Sequence, residues 1–258
     1  MTLQDLHTHT SYCDGKNSPE EMIEAAIKKG LKKIGFSGHS YTEFDTRYCM
    51  SIENVTKYIT QINSLKSKYK GQIEIRCGIE QDFYATFGTF GFDYVIGSVH
   101  YIKVGKEYIP IDESADILLD AAEKYFCGDI YSLCEEYFKT VGELLSHIDA
   151  DIIGHFDLIS KFNENGKLFD ENHPRYVKAY TDALDKLLPC EKPFEVNTGA
   201  ISRGYRTHPY PSRAQLEYIA KNGGTVILCG DTHAAENLCY EFEKWYEVCK
   251  EIGVTVTF

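Results

Sequence analysis

Histidines and carboxylates recur along this chain at spacings suited to holding metal ions. The first group is Asp5-Leu6-His7-Thr8-His9-Thr10, close to the start of the sequence. In an extended strand, side chains at i and i+2 point to one face. His7 and His9 are therefore expected to project together from a first strand end. With Asp5 and Asp14 near them, they form half of a metal site. A single histidine is more often a satisfied core residue, but a His-x-His at a strand end shifts the balance toward ligation. Later strand-like runs each deliver a residue of ligand type: His39, Glu80, His100, His155, then Asp231 with His233.

The candidate ligands are His7, His9, Asp14, His39, Glu80, His100, His155, Asp231 and His233, with Asn197 nearby in sequence logic. One ion takes three or four protein ligands and keeps a position open. Nine ligands suit three divalent ions, provided that a carboxylate or two bridge. Glu80 and Asp231 are the natural bridges, because a carboxylate has two oxygens. An imidazole and carboxylate set suits Zn, Fe or Mn. Paired cations lower the pKa of a bridging water and neutralise charge on phosphoryl oxygens. Arginine adds a planar fork for the remaining oxygens. Arg203 and Arg206, in the loop 199–211, and Lys161, shortly after His155, are the candidate phosphate contacts. For each of them, plain solvation is the competing reading. His208 is a further substrate-contact candidate. His147 reads as a packing or capping residue and His173 as exposed. Asp5 and Asp157 are expected to orient ligand histidines from behind.

These side chains need elements to position them. Ser18-Pro19-Glu20-Glu21 is a capping box with proline at the first helical position, opening a helix that Gly30 ends. A strand over 31–37 delivers His39, and a helix covers 51–69. Strands over 73–80 and 92–100 deliver Glu80 and His100. Residues 101–150 read as a helical insertion, with a hairpin near 103–106 and helices over 114–126 and 129–147. A strand over 151–157 delivers His155. A helix over 174–188, a strand over 193–198, a helix from 212 to 221 and a strand over 225–230 follow. A last helix over 235–251 precedes a short apolar tail, 254–258. Alternating strand and helix implies a parallel arrangement with right-handed crossovers. Function gathered at seven strand ends favours a closed α/β barrel over an open doubly wound sheet, which would join only the residues near its switch point.

Composition sets the outer limits. The 258 residues suit one large α/β domain, 1–258, and 43% hydrophobic residues suffice for a core. No run is long enough to span a membrane. The start, Met-Thr-Leu-Gln-Asp, lacks the basic and apolar regions of a signal peptide. Nine scattered cysteines without a C-x-x-C pair read as reduced thiols of a cytoplasmic protein. A net charge of −12, with no strong basic stripe, argues against nucleic acid as a partner. The sequence is silent on oligomeric state.

Taken together, Asp5-Leu6-His7-Thr8-His9-Thr10, Gly38-His39-Ser40, Gly78-Ile79-Glu80, Gly97-Ser98-Val99-His100, Gly154-His155-Phe156-Asp157 and Gly230-Asp231-Thr232-His233 resemble the polymerase-and-histidinol-phosphatase (PHP) superfamily. The likeness covers essentially the whole chain. Its length, Asp14, the insertion after His100 and the strand Glu195-Val196-Asn197-Thr198 resemble the monofunctional histidinol-phosphatase branch. The resemblance implies a distorted seven-stranded (β/α)7 barrel of TIM-barrel type and a three-metal centre. By that likeness, His7, His9, Glu80 and Asp231 hold one ion, Glu80, His100 and His155 the second, and Asp14, His39 and His233 the third. Lys161 stands where some relatives have an arginine, keeping the charge without the bidentate geometry.

The resemblance further implies hydrolysis of L-histidinol phosphate to L-histidinol and phosphate, a step of histidine biosynthesis, by a metal-bridged hydroxide. The leaving alkoxide needs a proton, from a metal-bound water or from Asp14 or His233. Carboxylates and aromatics at the mouth (Glu43, Phe44, Asp45, Tyr101) are candidate partners for the substrate's amine and imidazole. Two other readings stand beside this one. A related phosphoesterase would act on nucleotides, nucleic-acid ends or phosphotyrosyl protein. A non-catalytic, metal-stabilised module would tolerate lost ligands, whereas this chain keeps all nine.

Overall fold

The computed structural model describes residues 3–258. Met1 and Thr2, part of the stretch read as lacking a leader, lie outside them. The chain opens with β1 (Gln4–Asp5), α1 (Pro19–Lys29), β2 (Lys33–Phe36), α2 (Ile52–Lys68), β3 (Glu74–Asp82) and β4 (Tyr94–Ser98). An antiparallel hairpin, β5 (Tyr101–Val104) and β6 (Glu107–Pro110), leads to α3 (Ala115–Phe126), α4 (Ile130–Val141) and α5 (Leu144–His147). Strand–helix alternation then resumes with β7 (Ile152–Ile153), α6 (Pro174–Leu187), β8 (Phe194–Asn197), α7 (Gly199–Ser202) and α8 (Arg213–Lys221). It ends with β9 (Thr225–Cys229), α9 (Phe242–Ile252) and β10 (Thr255–Val256).

Eight strands form one parallel sheet in the order β1-β2-β3-β4-β7-β8-β9-β10. Seven were expected. The eighth is β10, in the stretch expected to be an apolar tail; it pairs with the start of β9 through Thr255↔Thr225 and Val256↔Val226. Beyond β9 the same edge meets the other end of the sheet. Thr8 and Thr232 form a parallel bridge, with His9 N donating to Thr232 O and Thr232 N to His7 O, both at 2.9 Å. The sheet thus curls until its first and seventh strands touch at the rim where the histidines sit.

Local chemistry explains most boundaries. Ser18 and Glu21 close the capping box of α1, and Gly30 ends it at φ 83°. Three expectations are corrected. The helix expected over 129–147 breaks after Val141, where a Cβ on Gly142 would lie 3.2 Å from Ala183 Cα. The strand expected over 151–157 pairs only at Ile152 and Ile153, because the next turns carry His155 across to β8. The helix expected from 235 begins at Phe242, since Cys239 and Glu241 take left-handed backbone (φ 50° and 53°).

Buried side chains pack on both faces of the sheet. Between sheet and helices lies the larger core, including Phe36, Tyr58, Phe138, Phe156, Tyr176 and Leu184. A smaller cluster of Tyr94, Ile96, Ile152, Ile227 and Cys229, with Leu6 against it, fills the inner side. Ladder partners share a face, so the pairs Gly78↔Tyr94 and Glu80↔Ile96 put Glu80 on the same side as this inner cluster. Tyr94 OH donates to Leu6 O and Phe36 O.

Candidate metal centre

All the predicted ligands converge at the C-terminal ends of the sheet strands, where parallel barrels place their chemistry. Glu80, from β3, stands at the middle and is buried. Its Oε1 lies 2.9 Å from His155 Nε2 and 3.3 Å from His100 Nε2. Its Oε2 lies 3.3 Å from His7 Nε2, 3.7 Å from His9 Nε2 and 2.8 Å from His39 Nδ1. Asp231 Oδ1 lies 3.2 Å from His9 Nε2 and 3.8 Å from His7 Nε2. Asp14 Oδ2 lies 3.1 Å from His233 Nε2 and 3.6 Å from His39 Nε2, while its Oδ1 lies 3.5 Å from His9 Nδ1. The distances outline three overlapping sets of ligand atoms: His7, His9 and Glu80; His39, Glu80 and His100; and His9, Asp14, His39 and His233. His9 and His39 each belong to two sets, a sharing that the sequence reading did not foresee.

These residues fit a metal centre. His7 Nε2, His9 Nε2 and Glu80 Oε2 are buried without a hydrogen-bond partner among the described residues, which is costly unless a cation takes them. Two ligands about 2.0–2.1 Å from a tetrahedral ion stand roughly 3.3 Å apart, and His7 and His9 lie 3.2 to 3.8 Å from the oxygens of Asp231 and Glu80. The charges agree. Burial opposes ionisation of Glu80, yet the neighbouring His7, His39 and His100 hold it well below the usual carboxylate range. Burial likewise opposes a charge on His39, but Glu80 and Asp14 raise it to about 9. Burial, with the charges of His233 and His39, lowers His9 to about 3, so its ring is neutral at pH 7.

Carboxylates behind the rings fix two of them. Glu195 Oε1 lies 2.5 Å from His7 Nδ1, and Asp82 Oδ2 lies 3.2 Å from His100 Nδ1. Ser98 Oγ donates to Glu80 Oε1 at 2.7 Å. The sequence reading gave none of these three a role. Two signals were available: Asp82 is two residues from Glu80 on one strand, and Glu195 interrupts an apolar strand. The expected orienting residues behave otherwise. Asp5 accepts from the backbone N–H groups of His7, Gly230 and Cys239 and from Thr232 Oγ1, so it clamps the chain rather than a ring. Asp157 makes no bond to His155, and neither of its oxygens has a hydrogen-bond partner among the described residues. Burial pushes it up to about 7.

A cavity of about 440 Å³ opens over the ligands and is lined in addition by Asp45, Tyr48, Tyr101, Asp112, Glu113, Lys161 and Arg203 among others. Arg203 Nη2 donates to Asp231 Oδ2 at 3.0 Å and Nη1 to Asp231 O at 3.1 Å. Lys161 Nζ donates to Asp112 O at 2.7 Å and Oδ2 at 3.2 Å. Three expected substrate contacts lie elsewhere. The buried guanidinium of Arg206 donates to Ser160 O at 2.5 Å and Glu171 Oε1 at 3.0 Å, away from the cavity. His208 is exposed beside Thr207, and Glu43 is exposed on a loop that sends Asp45 inward instead. His147 packs on Phe83, as a packing residue should; His173, expected to be exposed, caps α6 and stacks on Tyr131.

Fold and site together define a curled parallel α/β barrel whose C-terminal rim carries a histidine–carboxylate metal centre. The PHP domain model matches residues 5–199, and the chain belongs to that family. The histidinol-phosphatase of Bacillus subtilis is 26% identical, with 96% of this chain and all of that protein covered. The probable histidinol-phosphatase of Deinococcus radiodurans is 28% identical over 99% of this chain and 96% of its own. A crystal structure of histidinol phosphate phosphatase from Lactococcus lactis, complexed with zinc, L-histidinol and phosphate, has the same fold. Its TM-score is 0.75 at 21% identity, covering 99% of this chain and 95% of that one.

Proposed function

We propose that this chain is a metal-dependent histidinol-phosphatase of the cytoplasm, hydrolysing L-histidinol phosphate to L-histidinol and phosphate. One observation carries the reading: a single cavity exposes six residues of the His–carboxylate cluster (Asp14, His39, His100, His155, Asp231 and His233) beside three basic side chains, Arg47, Lys161 and Arg203, and a wall of further carboxylates and tyrosines. The full-length similarity to histidinol-phosphatases supports it.

The nine ligands suit three divalent ions, Zn, Fe or Mn. Ions bound there would supply an activated water and would neutralise phosphoryl oxygens. The protein's own groups divide the remaining work. Glu80 holds the ligand sets in register through its two oxygens. Lys161 and Arg203 face the cavity and take the phosphoryl oxygens that the ions leave free. Asp14 and His233 are the ligands most open to solvent, with side chains 32% and 22% exposed, so a water on an ion that they would hold is the one placed to give the leaving alkoxide its proton. Asp45, Asp112 and Glu113, with Tyr48 and Tyr101, offer carboxylates and rings to the substrate's ammonium and imidazole.

The test is phosphate release from L-histidinol phosphate beside sugar phosphates, mononucleotides, short oligonucleotides and phosphotyrosine. Histidinol phosphate should be hydrolysed with the highest kcat/KM. Equal or better hydrolysis of another ester would discard the substrate and keep the metal chemistry.

A further inference from the structure

Glu195 is buried in β8, behind the His7 ring. Its two oxygens do different things. Oε1 lies 2.5 Å from His7 Nδ1. Oε2 accepts from the backbone N–H of His155 at 2.9 Å and from Asn197 Nδ2 at 3.1 Å. Asn197 is itself oriented, because its Oδ1 accepts from Gly199 N at 2.9 Å. One carboxylate therefore touches a ligand ring of the His7–His9–Glu80 set and the backbone of His155, a ligand facing the other oxygen of Glu80.

We infer that Glu195 is a positioning residue that sets the tautomer of His7 and couples two metal sets. The inference rests on the metal-centre reading, not on the identity of the substrate. An ionised carboxylate can only accept, so beside Oε1 the His7 ring carries its proton on Nδ1. That leaves the Nε2 lone pair facing Glu80 and Asp231, 3.3 and 3.8 Å away, where an ion would be held.

The isosteric variant Glu195→Gln makes the inference sharp. Two donors, His155 N–H and Asn197 Nδ2, fix the oxygen of the new amide at the Oε2 position. Its NH2 group must then face His7 Nδ1 and donate to it. The His7 ring is driven to the Nε2–H tautomer, which closes the ligand atom.

The experiment compares wild type and Glu195→Gln by zinc titration against a chromophoric chelator, with circular dichroism as the check on folding. Nitrogen-edited NMR of the zinc-loaded proteins reports the His7 Nδ1–H proton. The expected result is a folded variant whose zinc affinity at the affected sites falls about 10–100-fold and which lacks the Nδ1–H signal seen in wild type. A merely structural role would lower the unfolding temperature and leave zinc affinity and tautomer alone, which would overturn the inference. If Glu195→Gln does not fold, Glu195→Asp keeps the charge but withdraws it from His7. It should show the same loss of zinc, and wild-type affinity there would overturn the inference. A wild type that binds none of zinc, iron and manganese would overturn the metal-centre reading itself.

Discussion

Glu80 concentrates the demands of the site in one side chain, since five imidazoles approach its two oxygens within 3.7 Å. Glu80→Ala removes the shared ligand and leaves buried rings facing one another. Activity should fall by more than about 100-fold, with bound zinc lost by elemental analysis; full activity in a zinc-free Glu80→Ala protein would exclude the role. Protons compete with the ions for the same rings. Burial opposes charge on His7 and His100, yet facing carboxylates raise both well above the ordinary value, and His39 stands at about 9. Each ring binds an ion only when neutral, so binding releases protons. Zinc affinity should therefore rise with pH from about 6 to 9, measured by chelator competition; a flat profile would contradict the protonation pattern. The clustering of the candidate ligands was legible because most of them stand within two residues of a glycine or of a second candidate. The substrate contacts were less so. Arg203 and Arg206 share one loop, and only the folded chain shows Arg203 on Asp231 and Arg206 turned back to Ser160 and Glu171.

The strands that deliver these ligands are short, and side-chain packing inside the curl fixes their spacing. Gly35 and Gly78 leave room for the Tyr94 ring: a Cβ on Gly78 would lie 2.3 Å from Tyr94 Cζ, and one on Gly35 2.3 Å from its hydroxyl. Gly78→Ala must therefore push Tyr94 away from Leu6 and Phe36. Overpacking of this kind costs about 1–3 kcal/mol, to be read by urea unfolding of the metal-free protein; unchanged stability would show that the ring yields freely. Helices were legible where capping chemistry announced them, as Ser18 and Glu21 do for α1 and Ser212 and Gln215 for α8. The misread boundaries have tertiary causes. Gly142 is placed by Ala183 of α6, and Cys239 is held by its N–H to Asp5 Oδ2, 234 residues away. β10 went unread because two paired residues leave no periodic signature.

For the whole molecule, the consequence is that the fold carries a rim of clustered charge which the ions relieve. Cations that bind only the native state stabilise it by mass action, ~4 kcal/mol at a thousandfold excess over Kd. Stripping with a chelator should lower the unfolding temperature in calorimetry, and zinc should restore it; an unchanged transition would mean that the ligands close without ions. The net charge of −12 and the acidic cavity wall favour a small cationic ester over a polyanion. No helix among the described residues is long and apolar enough to cross a membrane. The most direct measurement is phosphate release from L-histidinol phosphate as zinc or manganese is titrated into chelator-stripped protein. Turnover should be absent without metal and should climb to a plateau as about three ions bind per chain. Full turnover by the stripped protein, or none at any metal loading, would contradict a metal-dependent histidinol-phosphatase.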